Sequence, residues 1–247
     1  MQSIVLCEGG TDFALLQYFM RKVYGWQDGF VSQDKIIKIN GGKSRKFSRD
    51  NDTLTIMSVG GCSRLGEGLK HVLETNRLST PDIANVYSKI VIVTDNDDQC
   101  ARTDIFNEIK RLFAEYKVSC KRVLGNNKWI DCCMANSMNM CVKFEILLLI
   151  IPFEEDGAME TFLLNALKSN DDYDKDIINH INCFVEHVDY YRKYLVSRRN
   201  VVKAKFDVYF SVRTSVEQFG ERQNILKNIP WEEYEYIQNS FQNLGKL

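Results

Sequence analysis

Four times along the chain an apolar run is followed by a polar turn and then by a stretch whose apolar positions recur at helical spacing. The first run, Ile4 to Cys7, leads into a helix expected from about Asp12 to Val23, with Phe13, Leu16, Phe19 and Met20 on one face. The second, Thr53 to Val59, ends at Gly60-Gly61 and precedes a helix from about Ser63 to Glu74. The third, Lys89 to Asp97, is followed by the helical TDIFNEIKRLFAEY, and the fourth, KFEILLLIIP, by EDGAMETFLLNAL. Repetition of strand, turn and helix predicts an α/β domain with a mainly parallel sheet. In such sheets ligands bind beyond the carboxyl ends of the strands, where all four polar turns fall.

Other segments fit this rhythm less well. Between the first and second units, KIIKINGGKSRKFSRDND suggests a short strand around Ile36 to Ile39 and then a mobile basic loop carrying Lys43, Arg45, Lys46 and Arg49. The span 117–142 has strand-like CKRVL and WIDCCM around GNNK, and its pattern assigns it no place in the sheet. After about Asn170 the chain turns acidic and then helical. The expected organisation is an α/β domain over 1–170 and a mostly helical elaboration over 171–247 packed on it, its Tyr and Trp residues read as core or interface packing rather than base-stacking groups because they recur at helical spacing.

With 247 residues, 45% of them hydrophobic, the chain has enough apolar material for a sizeable core. The net charge of −1 gives no global basic field, so a polyanionic partner would have to be held locally. The longest apolar run, Phe144 to Phe153, is too short to span a bilayer, and no secretory leader is recognisable, so a cytoplasmic protein without a membrane partner is expected. The eight cysteines form no C-x-x-C pair and read as reduced structural thiols. His180, Cys183 and His187 share a helical face, but no fourth ligand is near, so zinc is not expected.

Candidate chemistry gathers at the strand ends. Glu8 follows the first strand, Asp95-Asn96-Asp97 the third, and Glu160 lies beyond the fourth. Carboxylates brought together there repel one another unless a cation neutralises them, and hard oxygen donors suit Mg²⁺ or Mn²⁺. Gly9 and Gly10 allow close backbone approach of a phosphate, with Thr11 or Asp12 as a helix cap. Gly60, Gly61 and Arg64 at the second turn, with Lys43, Arg45 and Lys46, are candidate phosphate contacts. No G-x-x-x-x-G-K-[ST] loop occurs, so no ATP site is expected.

IVLCEGGTDFALL resembles the first motif of TOPRIM domains, a strand followed by Glu-Gly and a helix, and IVIVTDNDD resembles the second, a strand followed by D-x-D. The resemblance covers roughly residues 1–130 and extends to a small standalone TOPRIM-like bacterial family of unestablished function, related to OLD-type nucleases. It implies a TOPRIM-like, Rossmann-like fold in which Glu8 is a general acid/base or metal ligand and Asp95 and Asp97 bind the metal. Asp98 adjoins Asp97 instead of lying two residues on, unlike the D-x-D-x-D of topoisomerases. Glu160 is a further candidate ligand, equally explained as an acid in the first turn of a helix.

Two functions follow as expectations. One is a Mg²⁺- or Mn²⁺-dependent nuclease hydrolysing DNA or RNA phosphodiesters. The other is a non-catalytic nucleotide- or metal-binding module, or a subunit partnered by a separately encoded ATPase. Taken one at a time, Glu8 also reads as a helix-entry acid, and Asp95 and Asp97 as an ordinary turn.

Overall fold

The first apolar run forms β1 (Gln2–Cys7), flanked by parallel β4 (Asp52–Ser58) on one side and parallel β5 (Tyr87–Asp95) on the other. A strand enclosed in this way has both faces covered, so Ile4, Val5, Leu6 and Cys7 are all buried and the sequence runs apolar without alternating. The computed structural model describes residues 1–29, 42–80, 86–97, 99–214, 226 and 228–247.

Beyond β4 the sheet continues with β3 (Lys43–Arg49) and the short β2 (Gln27–Asp28), both antiparallel to their neighbours. Beyond β5 come β8 (Cys141–Ile151), β7 (Trp129–Ala135) and β6 (Ser119–Cys120), with β6-β7 and β7-β8 antiparallel. The full order is β2-β3-β4-β1-β5-β8-β7-β6. Helix α1 (Gly10–Tyr24) packs on β4, and α2 (Leu65–Leu78) packs on β1, β5 and α3 (Gln99–Glu115). Ile4, Leu6, Ile90 and Ile92 join the core that α2 and α3 close. This is a Rossmann-like α/β fold, with parallel strands at its centre and antiparallel strands on both flanks.

Several expectations change. The basic segment from Lys43 is not a mobile loop but β3, because its alternating Ser44, Lys46 and Ser48 against Arg45, Phe47 and Arg49 suit a strand that buries Phe47. The strand expected at Ile36 to Ile39 lies outside the described residues. The unplaced span 117–142 supplies β6 and β7, and the fourth apolar run, β8, pairs antiparallel with β7. Cys120 and Cys132, directly opposite on β6 and β7, are joined as a disulfide, whereas Cys7, Cys62, Cys133, Cys141 and Cys183 are free thiols.

The chain divides into two compact units, Met1–Ile150 with Asn243–Leu247, and Ile151–Gln242. The boundary therefore precedes the one expected at 170. The last residues belong to the sheet unit, where the Trp129 indole N–H donates to the Asn243 carbonyl at 2.8 Å. The second unit is helical, with α4 (Met159–Asn170), α5 (Asp172–Val188), α6 (Arg198–Arg213) and α7 (Glu235–Phe241). Phe162 centres it, with its ring 5.2 Å from Tyr236 and 5.4 Å from Phe241. No helix among the described residues is long and apolar enough to cross a membrane.

Candidate functional site at the carboxyl ends of the central strands

Glu8 leaves β1 at the point where the chain must turn between two parallel neighbours, and both neighbours hold it. On the β4 side, Gly60 and Gly61 both donate their amide N–H groups to the Glu8 carbonyl, at 3.0 and 2.9 Å. Gly60 (φ 86°) and Gly61 (φ 132°) have positive φ, which a side chain would resist, so this turn requires glycine. Their amides are thus spent on positioning Glu8 and not on a phosphate. On the β5 side, the Glu8 carboxylate Oε1 accepts from the Asp95 amide at 2.9 Å and from the Thr94 hydroxyl.

The site is anionic and partly dry. Burial first, and then the charge of Asp97, push Glu8 above the usual carboxylate range, against the opposing pull of the Thr94 and Asp95 hydrogen bonds. The Cys62 thiol, at 4.0 Å from the Thr94 hydroxyl, is pushed up to about 11 by burial and then by Glu8, with Asp97 adding to it. Cys7, fully buried, is pushed well up by burial and then by Asp12, Glu8 and Asp95. A thiol held protonated is a poor nucleophile, so neither cysteine suits covalent catalysis.

Helix α1 begins at the same edge. Gly9 is its N-cap residue, and the buried Asp12 accepts the Gly9 N–H at 2.8 Å, which closes one half of a capping box. Thr11 lies in the first turn. A side chain on Gly10 would meet nothing within 4 Å, so this position, two residues after Glu8, is open.

The strand register separates the predicted basic residues. Lys43 pairs with Ser58, which pairs with Cys7, so Lys43 stands level with the end of β1. Lys46 pairs with Thr55 opposite Ile4, about 10 Å back along the strand. Arg45 is exposed on the face opposite Lys46 and engages Asp28 at 2.8 Å and Gln17 at 3.4 Å. Arg64 ends the short 3-10 turn Cys62–Arg64 after Gly61 and pairs with Glu67 at 3.4 Å. Of the three candidate phosphate contacts on β3, the register brings Lys43 alone to the strand-end level of Glu8.

Asp95 is half-buried, Asn96 buried and Asp97 exposed, so the turn presents its last carboxylate outward. Asp98 lies outside the described residues. Glu160 is buried in the first turn of α4, in the helical unit. His180 and His187 are exposed, and each ring Nδ1 is bonded to the carbonyl four residues back, at 2.8 and 2.7 Å. Among the described residues, no group of three or more His, Cys, Asp and Glu side chains is gathered closely enough to hold a metal ion. Thr94 and Cys62 enter the site without having been singled out by sequence, whereas Asp12 takes the capping part expected of it. Thr94 immediately precedes the D-x-D turn, and that adjacency is the one clue the chain offered.

The fold and this edge define an α/β protein with an acidic site at the carboxyl ends of three adjacent parallel strands. The chain belongs to the family described as "Protein of unknown function (DUF3226)", whose model matches residues 2–242. It is also similar to the crystal structure of a hypothetical protein from Pyrococcus horikoshii OT3, at 16% identity over 98% of this chain and 99% of that one, with a TM-score of 0.50. That likeness concerns the fold alone. No curated protein matches the chain.

Proposed function

We propose that the protein is a divalent-cation-dependent phosphodiesterase acting on nucleic acid in the cytoplasm, built on a TOPRIM-like site. The observation that carries this reading is the clamp on Glu8, its main-chain carbonyl held from the β4 side and its carboxylate from β5, in a field that already disfavours the charge. Keeping a desolvated carboxylate beside Asp97 costs stability and contributes nothing to packing. A function that uses the charge accounts for it.

The donor chemistry fits Mg²⁺ or Mn²⁺. Mg²⁺ is commonly held by one or two carboxylates, substrate phosphate and water, so a closed cage of protein ligands is not required. Asp97 would hold it, with Asp95 beside it, and it would supply positive charge to phosphate oxygens in an otherwise repulsive site. Glu8 Oε1 is pinned by two donors, which leaves Oε2 to take the proton of an attacking water and return it to the leaving oxygen. Lys43, level with the strand ends, guides phosphate towards the edge, and Gly10 leaves room for it.

A second reading, a non-catalytic nucleotide- or metal-binding module or a subunit working with a separate ATPase, is favoured by one feature: Oε1 of Glu8 is satisfied within the protein by Thr94 and Asp95. Titration calorimetry with Mg²⁺ and Mn²⁺, run beside cleavage assays on single- and double-stranded DNA and RNA, separates the two. The nuclease reading expects metal binding and metal-dependent cleavage, both lost in Asp95→Asn/Asp97→Asn. Binding without cleavage assigns the module, and no carboxylate-dependent binding removes the metal from both.

A further inference from the structure

The turn between α5 and α6 presents aromatic rings and positive charge together, far more openly than a packing role requires. Tyr190, Tyr191 and Tyr194 are 84%, 89% and 71% exposed, whereas Tyr209 and Tyr234 of the same unit are buried, at 0% and 4%. Aromatic residues in this tail therefore divide into core and surface, and core packing does not account for these three. Phe184, Val188 and Val196 add exposed apolar surface around them. An exposed patch of this kind in a folded protein marks contact with something else.

Charge narrows the partner. Arg192, Lys193, Arg198 and Arg199 are all exposed in the same stretch, and Lys193 lies 5.2 Å from the centre of the Tyr194 ring. The two nearby acids are already engaged. Glu186 is paired with Lys205 at 2.8 Å, and Asp189 accepts the backbone N–H groups of Lys193, Tyr194 and Leu195 at 3.0, 2.7 and 2.7 Å. The surface is therefore positive as well as aromatic.

The turn is also ordered. Asp189 gathers three successive amides, Arg192 takes the left-handed conformation (φ 49°), and Ser197 caps α6 by accepting the Asn200 N–H at 3.2 Å. A concavity of about 290 Å³ beside it has Val185, Leu195, Val196 and Val201 in its lining, together with Arg192 and Arg198. Held in this way, the backbone that carries the rings and cations loses little conformational freedom on binding.

We propose that the α5–α6 turn is a binding element for single-stranded nucleic acid. Tyr190, Tyr191 and Tyr194 offer stacking platforms for unpaired bases, and Arg192, Lys193, Arg198 and Arg199 meet the phosphates. A duplex keeps its bases stacked inside and cannot use the rings. A basic amphipathic surface also attracts anionic lipid, but the three most exposed of the apolar groups here are phenols, with hydroxyls that gain little from acyl chains. The proposal stands apart from the reading of the Glu8 site, since no group of that site takes part in it.

The test is fluorescence anisotropy of the full chain with labelled 12-mers of oligo(dT) and oligo(rU), a duplex of the same length, and phosphatidylserine vesicles, all in EDTA. Expected is preferential binding of the single strands, with log K falling against log [salt] at a slope of about −3 for four phosphate contacts. Tyr190→Ala/Tyr191→Ala/Tyr194→Ala should weaken it by at least about tenfold. Arg192→Gln/Lys193→Gln/Arg198→Gln/Arg199→Gln should flatten the salt slope. All seven positions are exposed, and unchanged circular dichroism and melting of both variants verifies the fold. Glu8→Gln should bind as wild type does, so loss of cleavage with binding retained separates failure of one site from failure of the other. No binding of single strands, duplex or vesicles bound as well as or better than single strands, or binding indifferent to both tip variants would overturn the proposal.

Discussion

The side chain of Glu8 and the main chain of Asp95 are joined by a hydrogen bond of 2.9 Å, from the Asp95 amide to the Glu8 Oε1. One acid of the candidate site thereby orients the other across two parallel strands. Removing the charge should separate stability from activity. In EDTA, Glu8→Gln should melt above wild type by about 2–4 °C, since a desolvated charge beside Asp97 is gone, while any cleavage falls by about 100-fold or more. Paired melting curves and turnover assays check this, and a variant that loses stability would show the carboxylate to be a structural clamp.

Asn76 is fully buried at the end of α2 and imitates a neighbouring strand. Its Nδ2 donates to the Tyr87 carbonyl at 3.0 Å, and its Oδ1 accepts the Tyr87 N–H at 2.8 Å. Asn76→Ala leaves both main-chain groups unpaired where β5 begins. A loss of about 2–3 kcal/mol is expected in urea unfolding.

In the helical unit, Arg213 Nη1 donates to Asp174 Oδ2 and to the Tyr209 hydroxyl, and Tyr209 is fully buried. Asp174→Ala strands a half-buried guanidinium and should cost about 2 kcal/mol. The exposed end of the Glu186–Lys205 pair supplies the control: Glu186→Gln should leave the denaturation midpoint unmoved.

The α5–α6 turn should depend on pH through Asp189. The backbone N–H of Leu195, with those of Tyr194 and Lys193, holds its carboxyl below the usual range. A depressed folded-state value means that the stabilisation is present above the ordinary carboxylate range and is lost as pH falls through the folded value. The protection of the Lys193, Tyr194 and Leu195 amide protons, measured against their intrinsic exchange rates at each pH, should therefore be high at pH 6 and fall on acidification. In Asp189→Asn their exchange should show no such acid transition, which hydrogen-exchange NMR can follow.

Much of the centre was legible from residues alone. Ile4 to Cys7, the run from Lys89 and the helical spacing of Phe13, Leu16, Phe19 and Met20 marked β1, β5 and α1, because a strand covered on both faces must be apolar throughout and an amphipathic helix must repeat its contacts. The flanks were not. Lys43 to Arg49 looked like a loop because one buried residue, Phe47, carries its contact with the core, and the rest of β3 is polar. β7 and β8 form a local hairpin about residues 136–140, but its place in the sheet, with β8 beside β5, depends on contacts that no local pattern announces.

By itself, the sequence determined the α/β class and the positions of Glu8, Asp95 and Asp97 at strand ends, while the requirement for glycine at Gly60-Gly61 came from their backbone angles. The class and the strand-end positions follow from local apolar runs and turn chemistry. Only the tertiary structure decided that β1 lies between β4 and β5, that Glu8 is held by Thr94 and the Asp95 amide, and that Lys43 reaches the site's level while Arg45 and Lys46 do not. It also decided which tyrosines are buried. Those outcomes depend on strand order, register and burial, set by contacts between residues distant in the chain, and no window of sequence contains both partners.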